Sequence, residues 1–475
     1  MKRILVCLLA TLLLSSCTGE QTEITPETQK MAVETEASLS NEEQVLQSLP
    51  KNDYNGYSAT YIQFLFNHLP DMTKYQVTVD EQTGESVNDA MYQVTEMVEE
   101  RLNVSLSTVA YADNAEMTAD ITTAITAGDD FCDAFFAHSA ASFLVSGSLM
   151  NLSEISSFHF DNPWWNQGVM DSANLTEDVY LAYGSLSTTQ YAFYVPTFFN
   201  VTLAENAGLP DLYQIVRDGK WTLDKMDECI ETVKQDVNGD GRMSIRDDIL
   251  GYSTGILTWT MYSAGGEIFA KNDSGVKEYT GISERTVNII ERIAAIASDS
   301  NKYYAAWSVD GVAQYHALMS NNLLFAQMHM LEAENLREME SDYGILPNPK
   351  YAEEDDYISF LYADCEPMTI PKTISDPVRA GVILENICAL TNLYADEVYV
   401  TNMAERKLIH DENSLEMIRL VYSSPTYFDY WDWKGVNKIL NNALKSPSPN
   451  IVSAMASIEE ALKAAIDADI AIVNN

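Results

Sequence analysis

The sequence predicts an α/β protein, because strand-like and helix-like segments alternate along most of its length. Short runs of β-branched and aromatic residues are followed by stretches with apolar residues at helical spacing. The first three strands are predicted at 61–65, 104–109 and 133–136, with helices at 88–102 and 117–127 between them. This β-α-β-α-β order implies a parallel sheet with helices on its faces.

The second part of the chain continues the alternation. Gly128 is a plausible C-cap, Thr222 a fair N-cap, and Pro377 stands at a helix start. Further helices are predicted at 140–146, 223–233, 283–296, 315–320, 377–390 and 451–472, and further extended segments at 179–183, 191–196, 323–327, 344–347 and 357–362.

Length and charge limit the classes of function. A chain of 475 residues is too long for one small core and suits two or three domains. Its 46% hydrophobic and 10% aromatic content indicates a folded globular body. The net charge of −42 argues against a nucleic-acid partner, whose phosphates require a basic surface. The same charge argues against electrostatic docking on anionic lipid.

The amino terminus has the features of a secreted lipoprotein. Lys2 and Arg3 precede an almost purely apolar run at 4–14, and a membrane-spanning helix needs about 20 such residues. The run has the length of a signal-peptide core, and the Leu-Ser-Ser-Cys that ends at Cys17 resembles a lipobox. We therefore predict a signal peptide at 1–16 and lipid attachment, palmitate included, at Cys17. The alternative is an ordinary secretory signal with a chance cysteine.

Residues 17–50 are predicted to be a flexible tether between the lipid anchor and the body. They are rich in Glu, Thr, Gln and Ser and contain no aromatic residue, so they bury too little apolar surface to offset their ordering entropy. The four cysteines beyond the tether match no zinc pattern and are too few for a disulfide framework. We expect buried free thiols at Cys132, Cys229, Cys365 and Cys388.

Five local patterns follow one another along the body of the chain. They are Ala-Gly-Asp-Asp-Phe-Cys-Asp-Ala at 127–134, Asn-Leu at 151–152 with Asn-Pro-Trp-Trp-Asn at 162–166, the stretch 191–200 with Gly-Leu-Pro at 208–210, Tyr-Gly-Ile-Leu-Pro-Asn-Pro-Lys-Tyr at 343–351, and Ile-Pro-Lys-Thr at 370–373. Together they resemble the family 1 extracellular solute-binding proteins, the sugar-binding subunits of ABC importers. Phe198-Phe199-Asn200 departs from the family's usual Tyr-Tyr-Asn.

The resemblance implies a type II periplasmic-binding-protein-like fold with two α/β lobes and a multi-strand hinge. We place lobe 1 at 51–188 plus 308–372, and lobe 2 at 189–307 plus 373–475. It further implies that the protein is not an enzyme. As a monomer anchored on the extracytoplasmic face of the cell membrane, it would capture a carbohydrate, namely an oligosaccharide, in the cleft between the lobes. It would then deliver this solute to the permease subunits of an ABC transporter, with the closed form as the species recognised.

The most specific motif is a calcium-type loop at 236–247. Side-chain oxygens stand at positions one, three, five, nine and twelve of the loop, and glycine stands at position six, where the turn is sharp. The predicted ligands are Asp236, Asn238, Asp240, Arg242 through its carbonyl, Ser244 and Asp247. A structural ion in lobe 2 fits better than a sensor, because no second loop pairs with this one. The alternative is an acidic surface turn without metal.

Sugar binding needs aromatic faces for the apolar side of a pyranose and planar polar groups for its hydroxyls. Trp259 and Trp307 are the preferred aromatic candidates, since they lie near predicted loops of lobe 2 and the hinge. Each tryptophan could equally be a core residue. The full candidate set is Trp259, Trp307, Trp164, Trp165, His138, Asp364 and Glu366.

A secreted hydrolase acting on glycans or esters is the alternative function. The pentapeptide Gly-Tyr-Ser-Thr-Gly at 251–255 matches the nucleophile elbow, which requires a strand before the serine and a helix after it. The next residues, 256–262, are β-branched and aromatic, which argues against that helix. Histidines do follow, at His316, His329 and His410.

Overall fold

Two separate β-sheets organise the computed structural model, which describes residues 41–65, 72–306, 311–405, 412–428 and 431–474. The first sheet has the strand order Met368–Thr369, Ala134–Phe136, Tyr57–Phe64, Val104–Tyr111. The second has the order Tyr343–Leu346, Thr197–Asn200, Leu323–Gln327, Leu250–Thr254, Tyr303–Ala305. Three adjacent strands of each sheet run parallel to one another. The remaining pairs of neighbouring strands are antiparallel. Two α/β lobes are therefore present, as predicted.

Helices connect and cover these strands. The α-helices are Asn41–Ser48, Ser86–Leu102, Asn114–Ala127, Ala140–Val145, Gln167–Ala173, Thr189–Ala192, Val201–Asn206, Leu212–Arg217, Leu223–Val233, Leu257–Ser263, Glu284–Ala297, Gln314–Met319, Pro377–Tyr394, Asp396–Glu405, Glu412–Ser423, Val436–Leu444, Ile451–Ala456 and Glu459–Val473. Short 3₁₀ helices are Thr73–Tyr75, Leu152–Glu154, Met330–Glu338 and Trp433–Gly435, and a small hairpin pairs Phe269–Lys271 with Lys277–Tyr279.

Local sequence signals explain where several helices begin and end. Gly128 has φ +78° and its N–H bonds to the last turn of its helix, as a left-handed C-cap requires. The side chain of Thr222 accepts a hydrogen bond from the N–H of Lys225 at the predicted helix start. Pro377 occupies the first turn of its helix, and Asp376 caps it. These three boundaries were predicted correctly.

The predicted lobe boundaries are wrong at two places. Leu323–Gln327 and Tyr343–Leu346 pair with strands of the second sheet, so this stretch belongs to lobe 2 and not to lobe 1. The helix Pro377–Tyr394 packs against Ser86–Leu102, so it belongs to lobe 1 and not to lobe 2. These corrections move the crossings between the lobes along the chain, because 323–346 stays with the second sheet and the helix Pro377–Tyr394 packs in lobe 1.

Three neighbouring extended segments form the hinge. Tyr194 makes an antiparallel bridge with Leu361, and Ser359–Leu361 pairs in parallel with Thr426–Phe428. Tyr194 precedes the strand Thr197–Asn200 of the second sheet, and Ser359–Leu361 lies between Tyr343–Leu346 of the second sheet and Met368–Thr369 of the first. The predicted multi-strand hinge is confirmed.

The predicted tether ends earlier than residue 50. Asn41–Ser48 is helical, and Leu49 is buried. Arg101 Nη2 donates to the carbonyls of Leu46 (2.8 Å) and Leu49 (3.1 Å), which fastens this helix to lobe 1. The signal peptide 1–16, Cys17 and the rest of the tether to residue 40 lie outside the described residues.

Other local predictions need correction. The predicted helix at 451–472 is two helices, interrupted at residues 457–458. Residues 191–196, predicted to be extended, begin with the last turn of the helix Thr189–Ala192. In the described part of the chain, no helix combines the length and the apolar character needed to cross a bilayer. Cys132, Cys229, Cys365 and Cys388 are free and buried, as expected.

Candidate solute-binding cleft

The carboxyl-terminal edge of the first sheet forms one wall of the site. Gln63 and Phe64 at the end of Tyr57–Phe64, and Phe136 at the end of Ala134–Phe136, line a small cavity of about 30 Å³ together with Tyr75. The side chain of Gln63 is held by the backbone of Tyr75 and Val77 (both 3.1 Å). This edge is where ligands bind in open α/β sheets, and the cavity has the volume of about one water molecule, which is too small for a sugar ring.

The carboxyl-terminal edge of the second sheet forms a second cavity of about 140 Å³. Ala306 follows Tyr303–Ala305, Met328 follows Leu323–Gln327, and Trp259 comes from the helix after Leu250–Thr254. Besides Ala313, the remaining lining residues carry aromatic rings or polar groups: Gln314, Tyr315, His329 and Glu332. Both sheets thus present ring faces and hydrogen-bonding groups at the ends of their parallel strands.

Aromatic residues join the two cavities at the hinge. The ring of His329 stacks on Tyr362 at a centroid distance of 4.9 Å and lies 5.6 Å from Phe193. Trp259 packs edge-on against Tyr362 at 5.1 Å. Because Phe193 lines the first cavity and His329 the second, the two cavities are neighbours across the hinge.

Two predicted carboxylates and a predicted histidine meet at the first cavity. His138 Nδ1 lies 3.9 Å from Asp364 Oδ1, and Asp364 and Glu366 both line the cavity. Burial, and next the charge of Asp364, raise the pKa of Glu366 well above its usual value. Glu366 Oε1 is shielded from solvent and has no hydrogen-bond partner among the described residues. His138 does not itself line the cavity, and a role of these three residues in solute binding stays a prediction.

An ion pair connects the lobes beside the cleft. Lys74, in the 3₁₀ turn beside the first sheet, binds Glu334, in the 3₁₀ helix that follows the strand Leu323–Gln327. Their side chains are only 11% and 18% exposed, and the hydroxyl of Tyr75 also donates to Glu334 (3.3 Å). Sequence analysis missed this pair, because nothing in the spacing of the two residues relates them.

The predicted tryptophans lie in three different environments. Trp259 reaches the second cavity but is only 3% exposed, so it is a core residue as well as a lining residue. Trp307 lies outside the described residues, directly after the lining residue Ala306. Trp164 and Trp165 line neither cavity, and both are buried.

A buried carboxylate explains the Trp164–Trp165 pair. The indole nitrogens of Trp164 and Trp165 each donate to Glu385 at 3.0 Å, and Asn162 donates to it at the same distance. Burial raises the pKa of Glu385, and the hydrogen bonds from these donors act in the opposite direction. Because these donors satisfy its hydrogen-bonding capacity, Glu385 is a structural residue that connects 162–165 to the helix Pro377–Tyr394. The sequence gave no sign of Glu385, which is one of 70 acidic residues.

The predicted calcium loop lies between Leu223–Val233 and Leu250–Thr254. Asp236 accepts hydrogen bonds from the N–H groups of Gly239 (2.7 Å) and Gly241 (2.9 Å). Asp248, which was not predicted, is buried and accepts from the N–H groups of Val237 (2.9 Å) and Ser244 (2.8 Å). Both glycines have positive φ, as the sharp turns require.

The geometry of this loop is incomplete as a metal site. Within the described residues, no group of three or more His, Cys, Asp or Glu side chains is gathered to hold a metal ion. Asp236, Asp240 and Asp247 therefore do not form such a group, and Asp247 is exposed. Asn238 and Asp240 instead accept hydrogen bonds from the N–H groups two residues further on. Calcium binding at this loop, with Arg242 and Ser244 as further ligands, stays a prediction.

The serine of the Gly-Tyr-Ser-Thr-Gly motif is inside the second sheet. Ser253 pairs with Ala326 on one side and Tyr304 on the other, and its exposed fraction is zero. A helix, Leu257–Ser263, does follow the strand, which corrects the expectation that no helix follows. Ser253 nevertheless stands before the turn, in the middle of a paired strand, and not on an exposed elbow.

Comparison with solved structures identifies the fold. The sequence matches no family model, and a search of curated proteins found no match. An ABC substrate-binding protein from Listeria monocytogenes, in complex with cycloalternan, is 13% identical, with a TM-score of 0.54 over 87% of this chain and 99% of that one. A family 1 extracellular solute-binding protein from Bifidobacterium longum subsp. infantis gives 13% identity and 0.52 over 88% and 99%.

A third similar structure carries a different kind of ligand. The UgpB protein of Mycobacterium tuberculosis, in complex with glycerophosphocholine, is 16% identical, with a TM-score of 0.53 over 83% of this chain and 99% of that one. At such low identity these likenesses show the fold alone. The chain has the two-lobe fold of solute-binding proteins, and its solute must be argued from its own residues.

Proposed function

We propose that the protein captures a carbohydrate, most simply an oligosaccharide, between its lobes and delivers it to an ABC transporter. One observation carries this proposal: in both sheets the carboxyl-terminal ends of the parallel strands lie at the hinge, and both edges combine aromatic rings with carboxyl and amide groups. Aromatic faces match the C–H faces of sugar rings, and the polar groups match their hydroxyls. A cycloalternan-bound protein of the same fold supports this choice.

Loading requires movement of the lobes. The cavities of about 30 and 140 Å³ are smaller than the 300–1,000 Å³ typical of ligand sites. Extended segments at a hinge let two packed lobes rotate as rigid bodies. We infer that opening admits the solute and that closure brings Trp259 and His329 of lobe 2 toward Asp364 and Glu366.

The experiment is a thermal-shift screen of the mature chain against mono- and oligosaccharides, followed by calorimetry on the sugars that stabilise it. We expect saturable binding and an unchanged sugar after long incubation, measured by mass spectrometry. Time-dependent products would favour the hydrolase alternative instead. Absence of any sugar ligand would contradict the carbohydrate proposal.

Binding without catalysis is the function that the buried serine favours. A nucleophile must reach the substrate, whereas Ser253 is enclosed by two neighbouring strands. Asp364 and Glu366 at the first cavity are separated by a single residue in the sequence. The burial that raises the pKa of Glu366 is compatible with ligand binding as well as with a role as an acid catalyst. We therefore retain the binding role as the proposal for this site.

We also propose that the protein is a lipoprotein on the outer face of the cell membrane and works there as a monomer with the permease subunits. The signal-like residues 1–16 and the lipobox-like sequence ending at Cys17 support this. A diacylglyceryl group with an added acyl chain gives lasting attachment, which a single chain does not. The helix Asn41–Ser48 is fastened to lobe 1 through Arg101 and so is not part of the proposed tether.

Finally, we propose a structural calcium ion at 236–247. The support is the spacing of oxygen-bearing residues, and the two glycines with positive φ that let the loop turn. The ion would supply positive charge that lets Asp236, Asp240 and Asp247 approach one another. No step in solute capture depends on it.

A further inference from the structure

A further pocket, which we call the hinge pocket, lies beside the hinge and apart from the two cavities of the cleft. Its volume of about 470 Å³ falls within the roughly 300–1,000 Å³ typical of ligand sites. Gly184 and Phe193 line the first cavity, whereas the residues that follow them, Ser185 and Tyr194, line the hinge pocket. Among the described residues, the hinge pocket shares Gln190 with the first cavity and no residue with the second. One segment of the chain therefore separates it from the cleft.

The lining of the hinge pocket combines aromatic rings with uncharged polar groups. Tyr194 and Thr426 line it and belong to two of the three hinge segments. The described residues that line it include amide and hydroxyl side chains but no charged one. Such a lining complements a ligand that has hydroxyl groups and an apolar face but no charge. The aromatic rings are those of Trp164, Trp165, Tyr191, Tyr194 and Tyr422.

A buried carboxylate holds three of these polar side chains in place. Asp396 Oδ2 accepts hydrogen bonds from Ser185 (2.5 Å), Tyr191 (2.9 Å) and Asn392 (3.1 Å). The hydroxyl of Ser185 in turn accepts hydrogen bonds from the amides of Gln190 (3.2 Å) and Asn392 (3.4 Å). Asp396 is 5% exposed and Ser185 only 2%, so the network lies behind the wall of the pocket. Polar groups fixed in this way from behind are what a precise binding site requires.

We propose that the hinge pocket is a second binding site, separate from the cleft, for an uncharged sugar of one or two rings. The aromatic rings pack against the apolar side of the sugar. The amides of Gln190 and Asn392 use their nitrogens within the network, which leaves their oxygens to accept hydrogen bonds from sugar hydroxyls. A charged ligand would lose its hydration here without gaining a counter-ion from the lining. The site does not depend on which solute occupies the cleft.

Gly168 offers a way to fill the hinge pocket without disturbing the network. It lines the pocket, and a Cβ added there would meet no atom closer than the carbonyl oxygen of Thr426, at 3.9 Å. Gly168→Leu therefore places a side chain at the pocket without a clash at its Cβ. Asn392→Ala is the second variant, since it removes one polar group of the lining. Ala464→Leu is the control, because it adds an apolar side chain on the exposed face of the helix Glu459–Val473.

The measurement is fluorine NMR of the mature chain labelled with 5-fluorotryptophan and titrated with glucose, with maltose and with glucuronate. The sequence has seven tryptophans, and replacing each of three by phenylalanine assigns the signals that matter. Trp164 and Trp165 report on the hinge pocket, and Trp259 reports on the cleft. A failure of the proposed function in the cleft is therefore distinguishable from a failure at the hinge pocket.

We expect glucose or maltose to shift the signals of Trp164 and Trp165 saturably. Glucuronate should bind at these signals about tenfold more weakly or worse, because no counter-ion lines the pocket. Gly168→Leu should raise the Kd of the neutral sugar by about tenfold or more. Asn392→Ala should raise it by about two- to tenfold, the range for one neutral hydrogen bond, and Ala464→Leu should leave it unchanged.

Three results would overturn the inference. In one, neither neutral sugar shifts the signals of Trp164 and Trp165 in the folded wild-type protein. In another, the shifts persist with the same Kd in Gly168→Leu, which would place their origin in the cleft. In the third, glucuronate binds at these signals as tightly as the neutral sugars. If Gly168→Leu does not fold, an unchanged Kd in Asn392→Ala overturns the inference in its place.

Discussion

Trp259 offers the most direct test of how the second cavity is built. Its indole is 3% exposed and lies 5.1 Å from Tyr362, 5.6 Å from His329 and 6.0 Å from Phe360. The choice of Trp259 as a sugar-stacking candidate leads to the expectation that Trp259→Ala weakens binding alone. The structure changes that expectation, because removing a buried indole typically costs about 3–5 kcal/mol of stability.

Both the stability of the protein and its affinity for the solute should therefore fall in Trp259→Ala. The free energy of unfolding should fall by about 3–5 kcal/mol, since the aromatic partners of Trp259 lose a neighbour. Solute affinity should fall by roughly 10- to 100-fold, the equivalent of about 1.5–3 kcal/mol of lost apolar contact. Trp259→Phe keeps a ring in place, so it should lose less of both.

Trp221→Phe is the control for a purely structural tryptophan. Trp221 lies in the same lobe, is fully buried, and donates its indole N–H to the carbonyl of Pro347 (2.9 Å). Urea unfolding and calorimetry should show lower stability but normal affinity for this variant. If Trp259→Ala and Trp221→Phe gave the same pattern, with normal affinity in both, Trp259 would not belong to the binding site.

Three further predictions concern the lobes, the loop and the anchor. Lys74→Met removes one partner of the interlobe ion pair and should weaken solute binding about tenfold, since hydrogen bonds to charged groups contribute about 1.5–3 kcal/mol. Small-angle scattering should show a more open protein. The charge exchange Lys74→Glu with Glu334→Lys should restore the affinity. Calcium at a hundredfold excess over Kd should stabilise the wild-type protein by about 2.7 kcal/mol and raise its melting temperature, and Asp240→Ala should abolish this rise. A wild-type melting curve that is identical with EDTA and with calcium would contradict the calcium proposal. Cys17→Ser should leave the precursor uncleaved and free of acyl label, and a mature membrane-bound Cys17→Ser protein would contradict the lipoprotein proposal.

The alternation of strands and helices was readable because its signals are local. The strand Leu323–Gln327 and the helix Leu223–Val233 have the predicted bounds, since apolar spacing and a capping threonine depend only on nearby residues. Lobe membership is a different property. It depends on which sheet an element joins, and the helix Pro377–Tyr394 is apolar enough to suit either lobe.

Residues of the candidate site could be predicted from the sequence where a single segment of the chain contributes them. Asp364 and Glu366 were found because they follow a predicted strand, and Tyr362, two residues earlier, could have been found by the same reasoning. Lys74 and Glu334 are 260 residues apart, and no pattern within one sequence connects them. Trp164 and Trp165 stay a prediction, because they line a separate pocket of about 470 Å³ as well as donating to Glu385, and an aromatic pair has the same appearance in a sequence in either role.

A buried aspartate near the hinge makes stability depend on pH. Asp396 Oδ2 accepts hydrogen bonds from Ser185 (2.5 Å), Tyr191 (2.9 Å) and Asn392 (3.1 Å). Its other oxygen, Oδ1, has no partner among the described residues. Burial raises the pKa of Asp396 to about 6, although the three hydrogen bonds act to lower it. The folded protein therefore holds this proton more tightly than the unfolded chain does.

The sign of the effect follows from that difference. Below about pH 4 the carboxyl is protonated in both states, and its contribution to stability is fully present; it is lost as the pH rises through about 6. With 1.36 kcal/mol for each pKa unit, the loss is roughly 2–3 kcal/mol. Asp396→Asn cannot ionise and keeps one carbonyl acceptor, so its unfolding free energy should lack this part of the slope between pH 4 and 6. Urea titrations of both proteins at a series of pH values measure the difference directly, and parallel curves would show that Asp396 is already ionised at pH 4 in the folded protein.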